Sequence, residues 1–422
     1  MAGVPWSMAP PTIEDLGRRA KAASRVLAVA DGAAKNSALG MAADLLEERG
    51  GELLEHNGAD LEAARAEGAS EVQTDRLRLS RERIEAMAES LRHVAALPDP
   101  VGEVVEGWVR PNGLRIERVR VPLGVVGVIY ENRPNVTSDA AGLCLKAGNA
   151  TMLRGSSSAA RSNAAIVGAL REALVKVGLP EDAVVNVADT SHEAAIRFMQ
   201  LDGVIDCLVP RGGHALIASV REHATVPYVI DGDGNCHVYV DADADLDMAL
   251  SIVVNAKTQR PGVCNAAESL LVHEAVAVEF LPRAQAALAG VELRGDEASR
   301  AVLGSIGVAE DDDFATEFLG PIMSVAVVGD LDDAIDHITR YGSGHSEAIV
   351  TDDLRAAERF CREVDAAAVV VNASTRFVDG GELGLGSEIG ISTQKLHARG
   401  PMGLRELTCV KYLVHGDGQV RR

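Results

Sequence analysis

Residues 124–155 read GVVGVIYENRPNVTSDAAGLCLKAGNATMLRG, and their pattern decides the fold class. A short aliphatic run, Gly124–Tyr130, gives way to an Ala-containing stretch of helical character and then to a second run, Thr151–Arg154. Strand, helix and strand in so little chain make a βαβ unit, the building block of a mostly parallel sheet buried on both faces. The pattern continues outward. Val184–Val187, Val204–Val209 and Val226–Ile230 read as further strands; from Cys236 onward come CHVYV, SLLV, IMSVAVV, EAIVT and AAAVVV, with helices predicted over Leu246–Lys257 and Ala275–Ala289. No repeat of fixed period and no low-complexity linker interrupts the series, so two α/β domains in close contact are expected.

Upstream of the quoted stretch, the first hundred residues read as helices. Thr12 three residues before Asp15 forms a capping-box pattern, and Ile84, Met87, Leu91 and Val94 recur at helical spacing after a Ser80 N-cap. From Gly107 to Pro122 the pattern changes to WVRPNGLRIERVRVP, a Pro-Asn-Gly turn between alternating apolar and charged residues, which predicts a hairpin.

Composition removes whole classes of function. With 422 residues, 47% of them hydrophobic and 24% charged, the chain is neither disordered, collagenous nor a small disulfide scaffold. Its 41 basic against 62 acidic residues give a net charge of −21, which repels nucleic acid and anionic membrane surfaces. Any anionic ligand must therefore be held by local cations. Aromatic residues at 3% leave no platform for stacking bases. The six cysteines, Cys144, Cys207, Cys236, Cys264, Cys361 and Cys409, show neither C-x-x-C nor zinc spacing and read as reduced thiols of a cytoplasmic protein without metal. The start MAGVPWSMAPPTIEDLGRRAK lacks the charged and apolar regions of an export signal, and no run of about 18 apolar residues predicts a membrane span.

The chemistry concentrates in NAKTQRPGVCNAAE, residues 255–268. Cys264 follows a predicted helix and a Pro-Gly turn, with Lys257 and Arg260 near enough in sequence to favour its thiolate. Cys144, Cys207 and Cys361, set among aliphatic residues, read instead as buried core thiols. Asn135 lies just past the Gly124–Tyr130 strand, where an open α/β sheet places ligands. Three further motifs follow the same order: KAGNATMLRG at 146–155, EFLGP at 317–321 and STQKLHARGPMGL at 392–404.

Together these motifs, from about Ile13 to about Leu413, closely resemble the gamma-glutamyl phosphate reductase (glutamate-5-semialdehyde dehydrogenase) family of the aldehyde dehydrogenase superfamily, QRPGVCN and STQKLHARGPMGL being specific to it. The resemblance implies an aldehyde-dehydrogenase-like α/β fold: an NADP-binding Rossmann-like domain over residues 1–106 and 123–250, a catalytic domain over 251–395, and a hairpin (107–122) with a C-terminal strand (403–416) serving oligomerisation as a dimer or tetramer. It implies that Cys264 attacks the acyl phosphate of L-glutamate 5-phosphate, that NADPH reduces the thioester, and that Asn135 joins the Cys264 backbone N–H as oxyanion donor. Arg154, Gly155 and Ser156 match the adenosine-side loop and suit a 2′-phosphate, Gly212 and Gly213 are placed toward the pyrophosphate, and Glu317 matches the carboxylate on the nicotinamide ribose. Arg133, Arg260, Arg376, His397 and Arg399 are the candidates for the substrate's anionic groups.

Aldehyde dehydrogenases that hydrolyse their thioester carry a Glu-Leu-Gly-Gly motif; the matching stretch here, Val229–Cys236, has only Asp231 and Asp233 in a Gly-rich turn, where turn shaping is the simpler role. Lack of a hydrolytic base suits an acyl-phosphate reductase. No G-x-G-x-x-G fingerprint occurs, and Gly384–Gly390 reads as loop. A CoA-acylating aldehyde dehydrogenase and a non-catalytic relative acting as a binding module are the rival readings. The lability of an acyl phosphate makes a transient complex with glutamate 5-kinase an expectation.

Overall fold

The computed structural model describes residues 11–421; residues 1–10, where the expected absence of a leader begins, and Arg422 lie outside the described residues. The chain divides into two compact units, one made of everything up to Val229 plus Gly403 onward, the other of Ile230–Met402.

The first unit opens with helices α1 (Ile13–Leu27), α2 (Gly32–Glu48), α3 (Gly50–Ala66), α4 (Glu71–Leu77) and α5 (Arg81–Ala96). The Thr12 hydroxyl accepts from the Asp15 N–H while the Asp15 carboxylate accepts from the Thr12 N–H, the capping box that the sequence predicts. Ser80 caps α5, and Ile84, Met87, Leu91 and Val94 form its buried stripe. Strands β1 (Val104–Val109) and β2 (Arg115–Pro122) make the hairpin, turning through Gly113 at φ +87°, a conformation glycine adopts without strain. The C-terminal strand Thr408–His415 pairs antiparallel with β2 from Pro122↔Thr408 to Arg115↔His415. β2 is thus the centre of a three-stranded sheet whose edge β1 is exposed along its whole length.

The α/β part runs β3 (Val125–Tyr130), α6 (Pro134–Lys146), β4 (Ala150–Arg154), α7 (Ala160–Lys176), β5 (Val184–Asn186), α8 (His192–Met199), β6 (Cys207–Arg211) and α9 (His214–His223). Its four strands are parallel in the order β5-β4-β3-β6. The chain moves outward from β3 to β4 and β5 and then returns to add β6 on the other side, so a topological switch point lies between β3 and β6. The run Val226–Ile230 forms no strand, contrary to its composition. Pro227 lacks the N–H that a ladder needs, and contact with β6 reduces to an isolated bridge between Leu208 and Tyr228.

The second unit runs β7 (Cys236–Val240), α10 (Leu246–Thr258), β8 (Ala267–His273), α11 (Glu274–Ala287), β9 (Glu292–Gly295), α12 (Glu297–Leu303), β10 (Gly307–Val308), α13 (Asp311–Phe314), β11 (Ile322–Val328), α14 (Leu331–Tyr341), β12 (Ser346–Val350), α15 (Leu354–Glu363) and β13 (Ala368–Val371). All seven strands are parallel, in the order β10-β9-β11-β8-β7-β12-β13. Val238 and Val240 enter the core on one face, with Val253 and Phe280, while Tyr239 enters the other, with Ile349 and Phe360. Period-two alternation between two buried faces explains why β7 reads as an unbroken apolar run. The same strand corrects the expected boundary at residue 250. β7 hydrogen-bonds to β8 and β12, so residues 230–250 belong to the second unit.

Candidate active site

In the second unit, Cys264 occupies the turn between the end of α10 and the start of β8. It is half-buried, whereas Cys144, Cys207 and Cys236 are buried and Cys361 and Cys409 exposed. The exposure of Cys361 corrects its reading as a core thiol. Ala357 and Phe360 are the buried residues of α15, and Cys361 falls at the edge of the stripe they set. The backbone around Cys264 is pinned from several elements. Its carbonyl accepts from the Cys236 thiol at 3.1 Å; the next residue, Asn265, donates from its side chain to the Val378 carbonyl at 2.9 Å and accepts at its own carbonyl from the Thr375 hydroxyl at 2.7 Å. Gly234 lies flat against the same carbonyl, so close that a Cβ there would stand 1.7 Å from the oxygen. Only glycine fits at 234.

The charges around the thiol are arranged differently from the sequence expectation. Lys257 is fully buried and pairs with Glu268. Burial pushes the lysine down and the glutamate up in pKa, and their mutual attraction opposes both shifts. Glu268 also accepts from the Leu319 N–H at 3.1 Å, anchoring the EFLGP turn, where Leu319 adopts φ +52°. Lys257 is therefore engaged by a carboxylate. Arg376 lies close enough to feel the Cys264 sulfur, and Arg260 lies close enough to Arg376 to act on its charge. Arg260 is exposed; Arg376 donates from Nε to the Gln259 side chain at 2.8 Å. Burial lowers the Arg376 pKa and the like charge of Arg260 adds to this, while Asp379, the Cys264 sulfur and Glu382 pull it back up. Arg399 instead donates to Asp365 at 2.8 Å, and Lys395 joins the same carboxylate in a surface ion pair. His397 is exposed in the same loop.

Glu317 accepts from the Gly234 N–H at 2.8 Å, which ties the EFLGP turn to the residue packed on Cys264. Burial raises its pKa, the Gly234 bond lowers it, and Asp233 and Asp231 raise it further. In the Gly-rich turn itself, Asp231 accepts from the Ile391 N–H at 2.7 Å and bridges to Ser392. This is the turn-shaping role.

In the first unit, Asn135 lies in the first turn of α6, exposed, with its amide donating to Asp139 at 3.0 Å. Arg133 is the exposed residue preceding the same helix. Arg154 ends β4, half-buried; Nη2 donates to the Thr190 carbonyl and, at 2.9 Å, to that of Ser191, while its buried Nε has no protein partner. Gly155 packs on Asn163, whose Nδ2 would lie 2.1 Å from a Cβ. The hydroxyls of Ser156 and Ser158 both donate to Asn132 Oδ1. A hydroxyl has one hydrogen, so in this arrangement neither offers a donor to phosphate. Gly212 and Gly213 are exposed between β6 and α9, as expected, but the Gly213 N–H donates to Glu131 at 3.2 Å. A carboxylate thus stands where a free anion-binding N–H was expected.

With this geometry in place, the chain can be set beside known proteins. The aldehyde dehydrogenase family pattern matches residues 8–309 and 306–386. Gamma-glutamyl phosphate reductase of Caldanaerobacter subterraneus subsp. tengcongensis is 52% identical over 97% of this chain and 100% of its own; that of Heliobacterium modesticaldum is 56% identical over 96% and 98%. The chain belongs to the gamma-glutamyl phosphate reductases of the aldehyde dehydrogenase family. The crystal structure of the Thermotoga maritima gamma-glutamyl phosphate reductase superposes with a TM-score of 0.95 at 49% identity, covering 96% of this chain and 99% of that one. An acetylating aldehyde dehydrogenase from Geobacillus thermoglucosidasius, 18% identical with a TM-score of 0.68, shares the fold.

For a reductase of this family, sequence reading misses four groups beside the site. Gln259 and Asp139 were legible in principle, the first as a neighbour of Arg260, the second as the i+4 partner of Asn135 on one helix face. Glu268 and Cys236 carry no local signal, because their partners come from other elements. Among the described residues no helix is long and apolar enough to cross a membrane, and no group of His, Cys, Asp and Glu is arranged to hold a metal.

Proposed function

We propose that this chain reduces L-glutamate 5-phosphate to L-glutamate 5-semialdehyde with release of phosphate, using NADPH, as the reductive step of proline biosynthesis. The observation that carries the reading is the half-buried Cys264, fixed in its loop and coupled in charge to Arg376, while Asp231 is tied to backbone. The Cys264 thiolate attacks the acyl carbon; the C–O bond to phosphate breaks and a thioester remains. The carbonyl oxygen, negative in each tetrahedral state, is stabilised by the Asn135 amide with the Cys264 backbone N–H. After reduction the thiohemiacetal collapses, returning the sulfur as thiolate and the aldehyde as product.

NADPH supplies the hydride when bound. The first unit offers it the crevice at the β3/β6 switch point, the exposed Gly212–Gly213 turn and the unpartnered Nε of Arg154. Arg154 and Gly155 serve the adenosine side, with Ser156 and Gly213 contributing once Asn132 and Glu131 give way; Glu317 serves the nicotinamide ribose. Arg376 and Arg260 hold the phosphate and carboxylate of the substrate. Arg133 and His397 take secondary places, and Arg399, already ion-paired, a structural one. The chain works in the cytoplasm as a homo-oligomer built on the exposed edge β1, where Val104, Val109 and Trp108 face outward, and receives its labile substrate from glutamate 5-kinase.

The test is phosphate-dependent reduction of NADP by glutamate semialdehyde, with NAD as comparison. Activity that requires phosphate, ignores CoA and vanishes in Cys264→Ala is expected. Activity with CoA alone makes the chain an acylating dehydrogenase, and no activity with either makes it a binding module.

A further inference from the structure

Asn135 and Asp139 stand four residues apart on α6, and the exposed amide of the first donates to the second at 3.0 Å. We infer that Asp139 is a positioning residue that fixes which way round the Asn135 amide faces. The inference rests on Asn135 being the oxyanion donor proposed above.

An asparagine side chain has two nearly isosteric ends, and only the NH₂ end can stabilise an oxyanion. Turned over, it would present a carbonyl oxygen to the developing negative charge and oppose the reaction. A carboxylate accepts and never donates, so with Asp139 beside it the amide must point nitrogen toward Asp139. The reversed rotamer would set oxygen against oxygen. One N–H is used in this contact and the second remains for the substrate. Asp139 is itself held from the other side: its second oxygen accepts from the Ser90 hydroxyl on α5 at 3.3 Å. Burial pushes the Asp139 carboxyl up in pKa, while the bonds from Asn135 and Ser90 and the charge of Arg211 favour its ionised, accepting form. A merely structural role for this half-buried pair predicts a loss of stability that does not depend on whether Asn135 is present, and no selective fall in kcat.

A double-mutant cycle separates the roles. In Asp139→Ala, kcat should fall about 10- to 100-fold, as for a misaligned catalytic group, with KM for the semialdehyde within about twofold. In the Asn135→Ala background the same substitution should change kcat by less than about twofold, because there is no amide left to orient. Asp139→Asn, whose amide can donate as well as accept, lets either end of the Asn135 amide face it and should recover only part of the loss. Ser90→Ala, a milder variant that leaves the helix pair intact, should show a smaller fall with the same non-additivity. Effects that multiply across the cycle overturn the inference, as does an unchanged kcat in Asp139→Ala when Asn135→Ala is impaired. An unchanged kcat in Asn135→Ala removes the oxyanion reading and this one with it.

Discussion

The two parallel sheets carry their chemistry at opposite ends. In the four-stranded sheet Asn135 follows β3, Arg154 closes β4 and Gly212 follows β6, all at carboxyl ends. In the seven-stranded sheet Gly234 precedes β7, Cys264 precedes β8, Glu317 precedes β11 and His345 precedes β12, all at amino ends. The difference has a physical consequence. A loop that leaves a strand's carboxyl end leads into a helix N-terminus, whose N–H groups and positive dipole suit phosphates. A loop that enters a strand's amino end comes from a helix C-terminus, which offers carbonyls and a negative dipole. The backbone direction around Cys264 therefore does not favour a thiolate, and positive charge there has to come from side chains, of which Arg376 is one that feels the sulfur.

The sharpest way to break the contrast is at the nucleophile. Cys264→Ser keeps size and backbone but replaces a soft, easily ionised sulfur by a hydroxyl that ionises far less readily. Turnover should fall by at least about 10⁴-fold, with the unfolding midpoint unchanged; residual activity above one per cent would move the nucleophile elsewhere. Next in size is the buried pair beneath the same loop. Lys257→Met leaves Glu268 buried without its cation and should cost about 3–5 kcal/mol of unfolding free energy in urea melts. Lys257→Met with Glu268→Leu should recover much of that loss. If the single variant is as stable as the parent, the pair does not hold this edge together.

A pH test addresses the amino edge separately. His345 is fully buried beside Cys236, and burial lowers its pKa from 6.5 to about 4. Between those values the unfolded chain binds a proton that the folded chain does not, so stability falls as pH drops from 6.5 toward 4. The contribution is on the order of 3 kcal/mol. Urea midpoints at pH 7 and pH 4.5 should diverge less in His345→Gln than in the parent; equal divergence would remove His345 as the source.

How much of this was legible follows from where each signal resides. β3 is readable because a strand buried on both faces is almost wholly apolar, and β4 and β8 because each keeps a short apolar centre, Met152-Leu153 and Leu270-Leu271-Val272, between polar residues. The domain boundary was not readable, because CHVYV has the same composition whichever sheet it joins, and strand order is a property of the fold rather than of the run. Val226–Ile230 has strand composition, but Pro227 outweighs it. Charge near Cys264 was half readable: Arg260 lies in the same loop, whereas Lys257 is neutralised by Glu268, eleven residues on, through a packing contact that no spacing rule supplies.

The smallest expected effect makes the same point about arginines. Arg376 and Arg399 are equally cationic in sequence, the first in the loop after β13 and the second in STQKLHARGPMGL. One donates to the neutral Gln259 amide oxygen and feels the Cys264 sulfur; the other shares Asp365 with Lys395 at the surface. An arginine facing an unmatched anion site loses a strong charge-assisted contact on truncation, about 1.5–3 kcal/mol, so Arg376→Ala should raise KM for the semialdehyde or phosphate roughly 10- to 100-fold. An exposed ion pair is worth about 0–1 kcal/mol, so Arg399→Ala should leave KM and kcat within about threefold and move the melting temperature by no more than a few degrees. If the two variants exchange these outcomes, the anion is held at the 395–399 loop and Asp365 is displaced when substrate binds, because one carboxylate cannot stay paired to Arg399 while that guanidinium takes a phosphate.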